Sequence, residues 1–211
     1  MFTRPLLTAV ALTILASGPA WAEEENAADV SASLPAELPA APSLNACKLL
    51  AADALAAWGF GAEPAARADS RVIDKDHVAS PGNVRADICS FDNDKEKLPA
   101  RAFLVVESFT DDVTGDAVAG WLKTVSDKIK PADKLGETRI GDATCETGNY
   151  PVATKAGEDP VTLHFVACDR QAGRRHVSFN FEWPGADPKL PSTNETKALL
   201  DQAIASLPTA P

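Results

Sequence analysis

Four cysteines restrict this chain more than any other feature of its sequence. Cys47, Cys89, Cys145 and Cys168 are even in number, and no two stand in the Cys-x-x-Cys spacing of metal or redox sites. Such a set reads as two structural disulfides, with reactive thiols as the alternative. Three pairings are possible. We favour Cys47 with Cys89 and Cys145 with Cys168, because each pair joins a helix or strand to its next neighbour. The second pair also has a geometric argument. Its midpoint falls between Ala156 and Gly157, inside the turn-like run from Lys155 to Pro160. An antiparallel hairpin centred there sets the two cysteines opposite one another, within bonding reach. Closing a loop of that size stabilises by roughly 3 kcal/mol.

Disulfides require an oxidising compartment, and the N-terminus offers a route to one. Arg4 forms a short basic region, Leu6 to Ala16 an apolar one, and Ala20-Trp21-Ala22 fits the small-x-small cleavage rule ahead of Glu23. The apolar run is too short to span a bilayer, and acids rather than bases follow it. No cysteine at the cleavage point invites a lipid. The expectation is a cleaved signal peptide at 1–22, then an Ala/Pro/Glu-rich tether at 23–44 too polar to order itself, then a single domain at 45–208. The product would be periplasmic or secreted, with no transmembrane anchor. Of the 211 residues 45% are hydrophobic and 24% charged, the balance of a soluble globular chain, and the net charge of -10 argues against a nucleic-acid partner.

Hydrophobic period sorts the domain into elements. Val177, Phe179, Phe181 and Trp183 alternate with His176, Ser178, Asn180 and Glu182, the clearest two-residue period in the chain. Val161 to Cys168 alternates too, and Asp169 to Arg174 between the two runs suggests a hairpin. Ala102 to Phe109 reads as a central strand. Further strand candidates cover Val84 to Phe91 and Thr138 to Thr147, while Ala62 to Gly82 reads as a long loop. Helical spacing appears from Asn45 to Gly59, from Gly115 to Lys130, and from Ser192 or Thr193 to Leu207. The fold class expected is α+β: an antiparallel sheet with about three helices packed on it, stapled by two disulfides.

The chemistry-bearing residues form no familiar catalytic spacing. No nucleophile elbow, phosphate loop or His-Glu-x-x-His pattern occurs. His164 and His176 could share a divalent metal if their polar faces coincided, but solvated strand histidines are commoner. Asp92, Asp94 and Glu96 resemble calcium ligands in their alternation, yet lack the glycine and terminal glutamate of an EF-hand and read as a turn. No metal and no cofactor is assigned. With the apolar stripe of 177–183 turned to the core, His176, Ser178, Asn180 and Glu182 would face outward beside Thr162 and His164, a polar strip suited to binding.

Asn45-Ala46-Cys47-Lys48-Leu49-Leu50, with Ala57 and Gly59, resembles the opening of small disulfide-containing actinobacterial envelope domains of unknown function. Those domains are similar to the extracellular sensor domain of mycobacterial receptor Ser/Thr kinases. Ile88-Cys89-Ser90-Phe91, Gly141-Asp142-Ala143 and Ile204 to Pro208 match in style and order. The resemblance implies an α+β sheet domain with sequential disulfides and an unidentified ligand, and no catalytic residues. This chain departs from the pattern in lacking a lipidation cysteine and a membrane span. The functional expectation is an exported non-enzymatic binding or accessory domain that recognises a protein or small envelope component. The alternatives are an inhibitor or immunity protein steered to a basic target by acidity, and a hydrolytic enzyme.

Overall fold

Alternation at the C-terminal end of the sequence builds the centre of the molecule. In the computed structural model, which describes residues 44–51, 53–60, 65–73, 80–93, 100–109, 113–128, 136–152 and 159–208, seven strands form one antiparallel sheet. They are β1 (Ala65–Ile73), β2 (Val84–Asp92), β3 (Arg101–Phe109), β4 (Gly136–Ile140), β5 (Ala143–Val152), β6 (Val161–Ala172) and β7 (Arg175–Pro184). Helix α1 (Gly115–Lys128) separates β3 from β4, and α2 (Thr193–Ala205) follows β7. The strand order β1-β2-β3-β7-β6-β5-β4 joins two meanders, with β7 docking on β3 at the centre. The expected signal peptide at 1–22 and the tether to residue 43 lie outside the described residues.

Both expected disulfides are present, Cys47–Cys89 and Cys145–Cys168. The hairpin argument for the second holds residue for residue, since Cys145 and Cys168 are direct partners across β5 and β6. Following the pairing across the sheet puts Cys89, Leu104, Phe179, Cys168 and Cys145 on one row. Directly opposed residues point the same way, so both bridges lie on one face, on either side of a fully buried Phe179. This is the disulfide face. Its cover consists of Leu199, Leu200 and Ala203 of α2, together with Ala46, Leu49, Leu50, Leu55 and Phe60 from the N-terminal segment. Trp58, Phe60 and Phe179 all contact the Phe181 ring.

Sequence period and structure part company at three elements. The expected helix over Asn45 to Gly59 is a pair of 3-10 turns, Ala46–Lys48 and Ala56–Trp58, leaving two α-helices among the described residues where about three were expected. A continuous helix turns about 100° per residue, which would send Leu55 to the side opposite Ala46, yet both are buried in the same cluster. Breaking the helix lets both reach the sheet. The expected loop Ala62 to Gly82 contains β1. Its alternation uses Ala66, Ala68 and Ser70 against Arg67, Asp69 and Arg71, residues of low strand preference that suit an exposed edge. The single strand expected at Thr138 to Thr147 is the β4–β5 hairpin, reversed by Gly141-Asp142. Gly141 there and Gly173 in the β6–β7 turn take positive φ of 66° and 62°, which side-chain-bearing residues resist.

The second face is divided. Val118, Trp121 and Leu122 of α1 pack on Val84, Ala86, Ile88, Phe103, Val105 and Phe109 of β2 and β3, as the helical stripe anticipates. Thr114 caps this helix by accepting from the Ala117 amide at 3.2 Å. Toward β7, β6 and β5 the same face turns polar.

Candidate functional site

Four residues of β7 present their side chains to this second face: His176, Ser178, Asn180 and Glu182. Three of the four are buried and Glu182 is half-buried. The expectation of an outward, solvated strip is therefore corrected. β7 is central, and a central strand in a sheet covered on both sides buries its polar face as well as its apolar one.

Thr162 and His164 do not join them. The register pairs His164 with Trp183 and Phe165 with Glu182, so the even-numbered residues of β6 share the disulfide face. The alternation was read correctly but its phase was taken the wrong way round, because Thr162 and His164 share their side of the strand with the buried Val166 and Cys168. His164 and His176 thus lie on opposite faces and cannot share a metal. No group of three potential metal ligands gathers among the described residues.

His176 is held at both ring nitrogens. Nδ1 donates to Glu107 Oε2 at 2.8 Å across β3, and Nε2 donates to Asp169 Oδ1 at 3.2 Å on β6. Burial alone would drive the ring neutral. The hydrogen bonds and charges of Asp169 and Glu107 overcome it and push the imidazole pKa up to about 10. The group is an imidazolium clamped between two acids. At the far end of the face, Tyr150 donates to Glu182 Oε1 at 3.2 Å. Burial, reinforced by Glu182, pushes the phenol pKa up, and burial also raises that of the Glu182 carboxyl. Phe165 lies against β5 here because its partner is Gly148; a Cβ at that glycine would overlap the ring.

Between these two pairs stands Asn180. Its row runs Phe103, Asn180, Ala167, Glu146. The side chain is buried at 5% exposure, and neither Oδ1 nor Nδ2 has a hydrogen-bond partner. Leaving such an amide unmatched costs about 1–3 kcal/mol.

Comparison with family models, with curated proteins and with solved structures finds no match. The likeness of the Asn45–Leu50 and Ile88–Phe91 segments to envelope domains is therefore not shown at the level of a family, and the site stands on its own geometry. Sequence reasoning missed Glu107, Asp169, Glu146 and Tyr150. One signal was available: Glu107 is an acid inside the apolar run of Ala102 to Phe109, and a buried acid needs a partner on a neighbouring strand.

Proposed function

We propose that this chain is an exported, non-enzymatic binding domain that recognises a small envelope component through the β5–β7 half of its second face. The observation that carries the reading is the Asn180 carboxamide, buried with both polar ends unmatched where neighbouring His176, Glu182 and Tyr150 are hydrogen-bonded. Buried polar groups in folded proteins are nearly always satisfied, so an unmatched amide at the centre of a rigid sheet is reason to expect a ligand group that completes it. The chemistry of the face favours binding over turnover. Both nitrogens of His176 donate to carboxylates, so the imidazole has no lone pair with which to deprotonate the neighbouring Ser178. Export accords with two disulfides and no free cysteine among the described residues, and with the leader-like N-terminus. No helix among the described residues is long and apolar enough to cross a membrane.

A fragment screen read by the side-chain amide resonances of 15N-labelled protein tests this reading. Hits from a mixed panel of small amides, amines and sugars should shift the Asn180 pair. A panel whose hits never move that pair, with an ordered water on both ends of the amide in a crystal, overturns it.

A further inference from the structure

We infer that the β1 edge of the sheet pairs with the β1 edge of a second copy of this chain, antiparallel and about a two-fold axis at Ala68. β1 ends the strand order, and among the described residues its backbone bonds to β2 alone. In an antiparallel ladder every second residue turns its N–H and C=O away from the neighbouring strand, so β1 presents a row of backbone groups ready to pair. Residues 66–70 are all exposed, which leaves the centre of that row open to solvent. The opposite edge, β4, is five residues long against nine for β1, and gives a partner strand less to hold.

Charge selects both the partner and the register. Arg67 and Asp69 share the second face, while Ala66, Ala68 and Ser70 share the disulfide face. Two such edges related by a two-fold axis meet with like faces on the same side, so odd-numbered residues oppose odd-numbered ones. An axis at Asp69 sets that acid against its own copy. An axis at Ala68 sets Arg67 against Asp69 of the other copy, twice by symmetry, and falls at the middle of the exposed stretch. Opposite charges directly across a ladder stabilise it and like charges destabilise it. Asp69 is already engaged within its own chain, but a carboxylate accepts several donors at once, so the new contact adds to the old one. On the disulfide face the centre of the seam carries small groups, the methyls of Ala66 and Ala68 and the Ser70 hydroxyl, which donates to Asp87 Oδ1 at 2.7 Å. Helix α1, seated on β2 and β3, stands clear. Its two copies lie four strand spacings apart, about 19 Å, against a helix diameter of about 10–12 Å. The contact is a ribbon one strand wide, so the dimer is reversible rather than obligate.

Sedimentation equilibrium of the intact, disulfide-bonded protein from about 1 μM to about 1 mM tests the seam, and should show a reversible monomer–dimer equilibrium. Arg67→Glu and Asp69→Arg should each weaken self-association about tenfold. An equimolar mixture of the two should recover the natural affinity, because each reversed charge then meets an unlike one. Both positions are exposed, and unchanged hydrogen exchange in β3 and β7 reports that each variant is folded. In the natural chain, raising the concentration should slow exchange at the outward amides of β1 and leave β4 unaffected. A chain that stays monomeric throughout, a dimer whose β1 amides exchange as in the monomer, or a mixture no tighter than its components overturns the proposal. A dimer weakened by Asp69→Arg but not by Arg67→Glu overturns the axis at Ala68.

Discussion

His176 is the residue whose environment most nearly decides the behaviour of the second face. Its pKa rises on folding from 6.5 to about 10, so the folded chain holds a proton that the unfolded chain releases between those values. The stabilisation is complete below pH 6.5. It falls by about 1.4 kcal/mol per pH unit inside that window and is lost as the pH climbs through about 10. Denaturant unfolding followed from pH 6 to pH 10 should show this decline. His176→Gln should flatten it and cost roughly 3–5 kcal/mol at pH 6, because Glu107 and Asp169 then face each other without the cation between them. A variant that keeps the wild-type slope would assign the linkage to another group. Gly148 is the other sensitive position. Gly148→Ala should cost about 1–3 kcal/mol, since the Phe165 ring must leave its rotamer to admit the methyl, and an unchanged melting temperature would mean that the ring has room.

Among the elements, α2 is the one most completely written in the sequence. Ser192 accepts from the Glu195 amide while the Glu195 carboxylate accepts from the Ser192 amide, a reciprocal cap that precedes the buried Leu199, Leu200 and Ala203. Ser192→Ala should cost about 1 kcal/mol in thermal or chemical unfolding. A loss near zero would mean that packing alone holds the first turn. The β5–β6 hairpin was legible for a related reason, because cysteine spacing and a Gly-containing turn agree on one register. The first segment was not. Cys47, Leu50, Ala54 and Trp58 have helical spacing, but the requirement to bury Ala46, Leu55 and Phe60 at once, with Cys47 bonded to Cys89, outweighs local preference. β1 escaped notice because alanine contributes little to a hydrophobic alternation. Asn180 was legible as sharing a face with His176, Ser178 and Glu182 but not as buried: alternation fixes which residues share a face, whereas burial of the polar face depends on where β7 lies in the strand order.

At the scale of the molecule, two bridges stand on either side of the centre of the disulfide face, the first fastening the N-terminal segment to β2 and the second locking β5 to β6. In the loop-closure account each contributes about 3–4 kcal/mol. Cys145→Ser with Cys168→Ser should lower stability by that amount without shifting the register, as peptide mapping of the remaining Cys47–Cys89 bridge would report. The row beneath carries Asn180 on the opposite face, one residue along the chain from Phe179. Thermal and urea unfolding of Phe179→Ala and Asn180→Leu compare the two faces at that point. Phe179→Ala should lose roughly 3–5 kcal/mol, the cost of emptying a fully buried aromatic site. Asn180→Leu, close in shape and without the unmatched amide, should be as stable as the natural chain or gain up to about 1–3 kcal/mol. That gain is the signature of a residue kept for binding at the expense of the fold. A loss of more than about 2 kcal/mol in Asn180→Leu would show that the amide holds the sheet together, and would contradict the account.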